Sequence, residues 1–136
     1  MQHYFVDTSF IIGIYNTQDK FHKEASTILK DEVSDHEILL FTSDYVVDEF
    51  LSYTTKKIGI NRAISYGEKI FENKIWNIHY STQNLIETAW NTFKNERNER
   101  KPLNFTDCVI LANAELLNVE KLLTFDNRLS NYFKKE

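Results

Sequence analysis

The segment Tyr4-Phe5-Val6-Asp7-Thr8-Ser9-Phe10-Ile11-Ile12-Gly13-Ile14-Tyr15 decides how this chain is read. A short apolar run stops at an acid, two small hydroxyl residues follow, and an apolar stretch of helical character begins. That order predicts a buried strand ending at Asp7 and turning directly into a helix. Near the other end of the chain, Leu122-Leu123-Thr124-Phe125 is a second strand-like run that stops at an acid, Asp126.

Between these two runs, short apolar stretches alternate with helix-period segments. A helix is predicted from Lys20 to Glu32, with Phe21, Ala25, Ile28 and Leu29 on one face. Ile38-Leu39-Leu40-Phe41 reads as a buried strand, and Thr42-Ser43-Asp44 supplies N-cap chemistry for the helix carrying Glu49. A further helix is expected over about 61–71, a strand over 75–80 and a long helix over 81–95. Pro102 then interrupts the helical pattern, and Thr106 is the expected cap of the next helix. A short helix from Leu129 to Phe133 closes the chain. Strands alternating with helices predict an α/β fold with a parallel sheet covered on both faces. Ligands of such sheets bind outside the carboxyl ends of the strands.

The 136 residues fit one domain, 1–136, able to bury its own core. A hydrophobic share of 42% excludes a disordered chain, and three Gly with one Pro leave no phosphate-cradling Gly-rich loop or flexible linker. Cys108 is the sole cysteine, so no internal disulfide forms, and its buried helix makes it a small core residue rather than a nucleophile. His3, His22, His36 and His79 lack metal-ligand spacing, which excludes a zinc framework. There is no signal-like N-terminus and no apolar run of membrane-spanning length, so a cytoplasmic protein is expected. The net charge of −4 argues against bulk electrostatic capture of nucleic acid, although Lys56-Lys57, Arg62, the stretch 97–101 and Lys134-Lys135 could form a local basic surface.

Four acids fall where a parallel sheet gathers its strand ends: Asp7, Glu49, Asp107 and Asp126. Carboxylates that converge repel one another, each pair by about 4 kcal/mol at ~4 Å and an effective dielectric of ~20. A hard divalent cation usually sustains such a cluster. Taken singly, Asp7 and Asp126 also read as ordinary turn residues or N-caps. Asp107 shares its side of an almost wholly apolar helix with Ile110, Leu111 and Ala114, and an acid there also suits the helix dipole. Glu49 competes with Asp48. The helical wheel does not separate them, but Asp48 has the polar neighbours Asp44, Ser52 and Thr55, whereas Glu49 lies between Tyr45 and Tyr53. Glu49 is therefore the functional candidate. Arg128, two residues past Asp126, is read as a solvated arginine with a phosphate contact as the alternative.

These segments resemble a PIN domain, and specifically a VapC-type toxin ribonuclease. Tyr4-Phe5-Val6-Asp7-Thr8-Ser9-Phe10-Ile11-Ile12 is similar to the family's first motif, and Asp19, His22 and Ala25 to a recurring pattern in the second helix. Tyr45-Val46-Val47-Asp48-Glu49, Asn104-Phe105-Thr106-Asp107-Cys108 through Ala112, and Leu123-Thr124-Phe125-Asp126 resemble the remaining motifs. The resemblance implies a three-layer α/β/α domain with a central parallel sheet of four or five strands. It further implies a magnesium- or manganese-dependent endoribonuclease, the toxin of a type II toxin–antitoxin pair. Asp7, Glu49, Asp107 and Asp126 would bind metal, supported by Thr8 and Thr124, and the partners would be RNA, an antitoxin and a second copy of the chain. Ten residues follow Asp126, so an edge strand found in many relatives is expected to be missing.

Three rivals differ in chemistry. A haloacid-dehalogenase-type phosphatase wants a second Asp two positions after the first, where Ser9 stands. A PIN-like module could hold RNA or protein without cutting, and a nuclease of the same fold could act on DNA.

Overall fold

In the computed structural model, which describes all residues except Asn73, Asn98 and Glu136, β1 (Gln2–Val6) lies inside the sheet and shows why the opening segment matters. Tyr4, Phe5 and Val6 are each fully buried. Successive strand residues face opposite sides of a sheet, so burial of all three means that both faces of β1 are covered. The other strands are β2 (Ile38–Ser43), β3 (Trp76–His79) and β4 (Lys121–Leu123). All described pairings are parallel and the order is β3-β2-β1-β4. The chain builds outward from β1 through β2 to β3 and then returns to β1's other edge with β4. The β1–β4 seam is therefore the topological switch point, where open parallel sheets bind ligands.

Helices α1 (Thr8–Tyr15), α2 (His22–Asp35), α3 (Asp44–Lys57), α4 (Ile60–Glu72), α5 (Gln83–Asn95), α6 (Phe105–Leu116) and α7 (Asn127–Lys135) flank the sheet. Among them α1 packs on α2, α3 on α4 and α5 on α6. This is the expected α/β/α architecture, with four strands among the described residues. No described helix is long and apolar enough to cross a membrane.

Several boundaries differ from the sequence reading for local reasons. Helix α2 starts at His22 rather than Lys20 because the Asp19 Oδ2 accepts from the Phe21 amide (3.0 Å) and holds a turn before it. His22 Nδ1 then lies 2.7 Å from the Gly13 carbonyl, clamping α2 to α1. A Cβ added at Gly13 would stand 3.0 Å from the Ala25 Cβ, so glycine permits this close approach. The acid–histidine–alanine pattern of the sequence thus has a structural task at the α1–α2 corner. Ser43 caps α3 by accepting from the Val46 amide (3.2 Å), as its position predicts. Helix α6 is buried from Asp107 to Ala114, and Asn113 inside it donates to the Val109 carbonyl (2.9 Å) and meets His79 Nδ1 at 2.7 Å. A helix without a solvent face must satisfy its polar side chains internally, and Asn113 does.

Candidate functional site

Asp7 directly follows β1 and is the N-cap residue of α1, yet its carboxylate does not cap the helix. Its amide donates to the Leu123 carbonyl (3.0 Å), extending the β1–β4 seam by one residue. Its Oδ2 instead accepts from the Thr124 hydroxyl and from Ser9 Oγ at 3.1 Å. Burial, with 6% exposure, is the main force on this group and lifts its pKa from 3.8 to about 6. The two hydroxyl bonds pull it back down, and the charge of Glu49 pushes it further up.

Thr124 explains why β4 stops at Leu123, before the expected end of the run at Phe125. Its Oγ1 turns back to Asp7 and accepts from the Asp126 amide (3.0 Å), while the Phe125 amide donates to Ser9 Oγ (3.0 Å). The Phe125 ring is stacked between Phe10 (5.1 Å between centroids) and Phe21 (4.3 Å). Asp126 therefore sits on a pinned turn. Its Oδ1 accepts from the amides of Arg128 (3.0 Å) and Leu129 (3.3 Å), so it also caps α7. That turn and cap role is the ordinary alternative weighed for it, and it coexists with a place at the sheet edge.

Asp107 corrects one expectation. The cap of α6 is Asn104, not Thr106, and the helix begins at Phe105. Asn104 Oδ1 accepts from the Asp107 amide (2.7 Å), and Asp107 Oδ2 accepts from the Asn104 amide (3.1 Å). This reciprocal capping box satisfies two otherwise orphaned amides, so Asp107 has a structural task the sequence reading did not give it. The signal was available as an acid three residues after an asparagine. Burial raises the Asp107 pKa; Asn104 and Arg128 oppose the shift, and the charges of Asp126 and Glu49 add to it.

Arg128 corrects another. Its guanidinium is paired rather than free in solvent: Nη2 donates to Asp107 Oδ2 at 2.8 Å and to Asp126 Oδ2 at 3.4 Å, and Nη1 donates to the Pro102 carbonyl. Glu49 is half-buried on α3 and acts electrostatically on both Asp7 and Asp107, whereas Asp48 is exposed. The neighbourhood argument that separated them agrees with this placement. Asp44 is engaged elsewhere, accepting from the Ser81 amide (3.1 Å) and hydroxyl (2.7 Å). Ser9, Asn104 and Arg128 are the members of this network that sequence reasoning did not assign.

The four acids thus form one electrically coupled neighbourhood at the carboxyl edge of the sheet. Their donors are oxygens, a set suited to a hard divalent cation. Thr8 Oγ1, buried beside Asp7, has no hydrogen-bond partner among the described residues and is a further uncommitted oxygen. As the side chains stand, no group of three or more His, Cys, Asp or Glu among the described residues is arranged to hold a metal ion. The Arg128 guanidinium pairs with Asp107 and Asp126 instead. Donor chemistry fits the cation; the present rotamers serve an arginine.

A parallel α/β/α domain with acids collected at its switch point defines the class of protein. The model for the PIN domain matches residues 4–135, and the chain belongs to the PIN domain family. It is 28% identical over 126 residues to a VapC ribonuclease of Archaeoglobus fulgidus, covering 92% of this chain and 78% of that protein. Among solved structures it is similar to VapC20 of Mycobacterium tuberculosis, a toxin described as cleaving the sarcin–ricin loop. That match has a TM-score of 0.82 at 22% identity and covers 95% of this chain and 94% of the other. VapBC-1 of nontypeable Haemophilus influenzae matches with a TM-score of 0.70 at 17% identity, covering 98% and 94%.

Proposed function

We propose that this protein is a divalent-cation-dependent endoribonuclease acting as the toxin of a type II toxin–antitoxin pair. The observation that carries the proposal is the burial of two carboxylates, Asp7 and Asp107, at the switch point beside two further acids. Like charges with raised pKa values destabilise a fold, so their retention favours a role that needs them together. The resemblance to VapC proteins supplies the substrate class.

Asp7 and Asp107 would be the central ligands of magnesium or manganese, with Glu49 and Asp126 completing the site or holding its waters, and Thr8 and Thr124 in support. The bound cation would neutralise the acids, acidify an attacking water and offset charge on the phosphoryl oxygens. The chain's own residues provide position. Ser9 and Thr124 fix Asp7 Oδ2, Asn104 fixes Asp107 Oδ2, and the pinned Phe125 turn fixes Asp126. In the reaction a water oxygen bonds to phosphorus as the bond to the leaving sugar oxygen breaks, and that oxygen receives a proton. Single-stranded or looped RNA suits such an edge because its backbone can be splayed into it.

The test compares RNA cleavage by wild type and Asp7→Asn with and without magnesium, alongside matched DNA. Equal activity in both proteins removes the proposal, cleavage of DNA alone reassigns the substrate, and RNA binding without cleavage makes the chain a binding module. An antitoxin partner that covers the acidic edge, a homodimer and a cytoplasmic location belong to the same reading. The solved VapBC-1 similarity motivates the antitoxin partner.

A further inference from the structure

The cation paired with these acids comes from the chain itself. Arg128 reaches out of the first turn of α7 and bridges three segments: Pro102 through its carbonyl, Asp107 and Asp126. We propose that Arg128 is a resident counter-ion that competes with the divalent cation for Asp107 and Asp126, so that metal entry requires the guanidinium to leave. This rests on the metal-dependent reading above.

Three observations carry it. Asp107 Oδ2 already accepts from the Asn104 amide and from Arg128 Nη2, so this oxygen is occupied while the arginine is in place. A divalent ion on the same carboxylates would meet the guanidinium with twice the repulsion of two unit charges, and both cannot stay. The docked arginine is also imperfectly satisfied: Nε is buried without a hydrogen-bond partner among the described residues, which disfavours the seated state. Its side chain is 29% exposed, so water is within reach of a rotamer change. A purely structural brace would fill all of its donors, and Arg128 does not. Seated, it screens the acids from one another and sets the cation level at which the site fills.

The experiment uses the full chain, with Mg2+ or Mn2+ alone as probe. Calorimetry measures metal binding to wild type, Arg128→Gln and Arg128→Lys. Nitrogen-15 NMR follows the Arg128 Nε–H resonance of wild type through a Mg2+ titration. The expected resonance shift has the same midpoint as calorimetric binding. Arg128→Gln is expected to bind Mn2+ about fivefold more tightly than wild type. Arg128→Lys falls between them, because an ammonium keeps the charge but cannot bridge a carbonyl and two carboxylates at once. Metal-free Arg128→Gln melts below wild type, and saturating metal narrows or reverses that gap. Metal binding that leaves the Arg128 resonance unmoved, or no gain in affinity in Arg128→Gln, overturns this proposal and spares the nuclease reading. Absence of binding to wild type overturns both. The NMR arm needs no variant to fold.

Discussion

The β1–β4 pair carries a charged cluster at each end, and the two clusters are built on opposite terms. Where β4 enters, Glu32 takes the Lys121 ammonium and the Tyr4 hydroxyl. Glu32 meets a cation directly, and hydrogen bonding to Lys121 holds its carboxyl below the usual range. Burial, then the bond to Glu32, raises the Tyr4 hydroxyl well above its ordinary value, so it stays protonated and donates. Where the strands exit, four acids gather, Asp7, Glu49, Asp107 and Asp126; the Arg128 guanidinium pairs with Asp107 and Asp126, and burial raises both Asp7 and Asp107. The entry cluster is arranged for stability. The exit cluster carries a burial penalty on two of its acids, and that asymmetry is what favours the exit edge as the candidate site.

The largest effect that tests this contrast is on cleavage. Asp7→Asn is expected to lower magnesium-dependent RNA cleavage on the order of 100-fold or more. Its Tm in EDTA should be unchanged or higher, because the amide oxygen still accepts from Thr124 and Ser9 without a buried charge. A loss of activity accompanied by a large drop in the EDTA melting curve would mean that Asp7 is structural instead.

Next comes pH. Asp7 titrates near 6 in the fold and near 3.8 when exposed, so the folded protein holds more protons between those values. Its contribution is fully present below about 4 and disappears as pH rises through 6, a change of about 3 kcal/mol. Urea unfolding in chelator from pH 4 to 7 should show this decline in wild type and a shallower one in Asp7→Asn. At pH 7 millimolar magnesium should raise Tm by binding the folded state. A flat difference between the two proteins would remove the idea of a penalised acid.

Smaller effects sharpen the comparison. Asn104→Ala should cost about 1 kcal/mol by opening the capping box, whereas Thr106→Ala should stay within about 0.5 kcal/mol. The reverse ranking in thermal melts would restore Thr106 as the cap. Glu32→Gln should cost about 1 kcal/mol or less, since its lysine is half exposed, and should leave RNA cleavage intact.

The sheet, its parallel sense and the placement of the acids were legible because each rests on short-range pattern: an apolar run, an acid at its end, a helix beyond. Tyr4-Phe5-Val6 announced a strand buried on both faces by having no polar alternate. The α6 cap was misread for a local reason. Thr106 is a good cap residue after a proline, and the competing Asn104–Asp107 pair is visible only when both ends of the box are read together. Arg128 lay beyond any pattern. Whether an arginine reaches water or a carboxylate 21 residues away in the chain depends on where Pro102 and Asp107 are folded, and no window of neighbouring residues contains that. The same holds for Thr124, whose hydroxyl ends β4 by bonding to a residue at the opposite end of the protein.

The aromatic sandwich of Phe10, Phe125 and Phe21 couples two places that the chain keeps far apart. Phe21 precedes α2 at the corner that Asp19 and His22 lock, and Phe125 adjoins Asp126. The stack therefore ties the two places together. Prying that corner open would drag the ring between its neighbours and tilt the turn bearing Asp126, so a disturbance there would reach the acidic edge as movement rather than as charge.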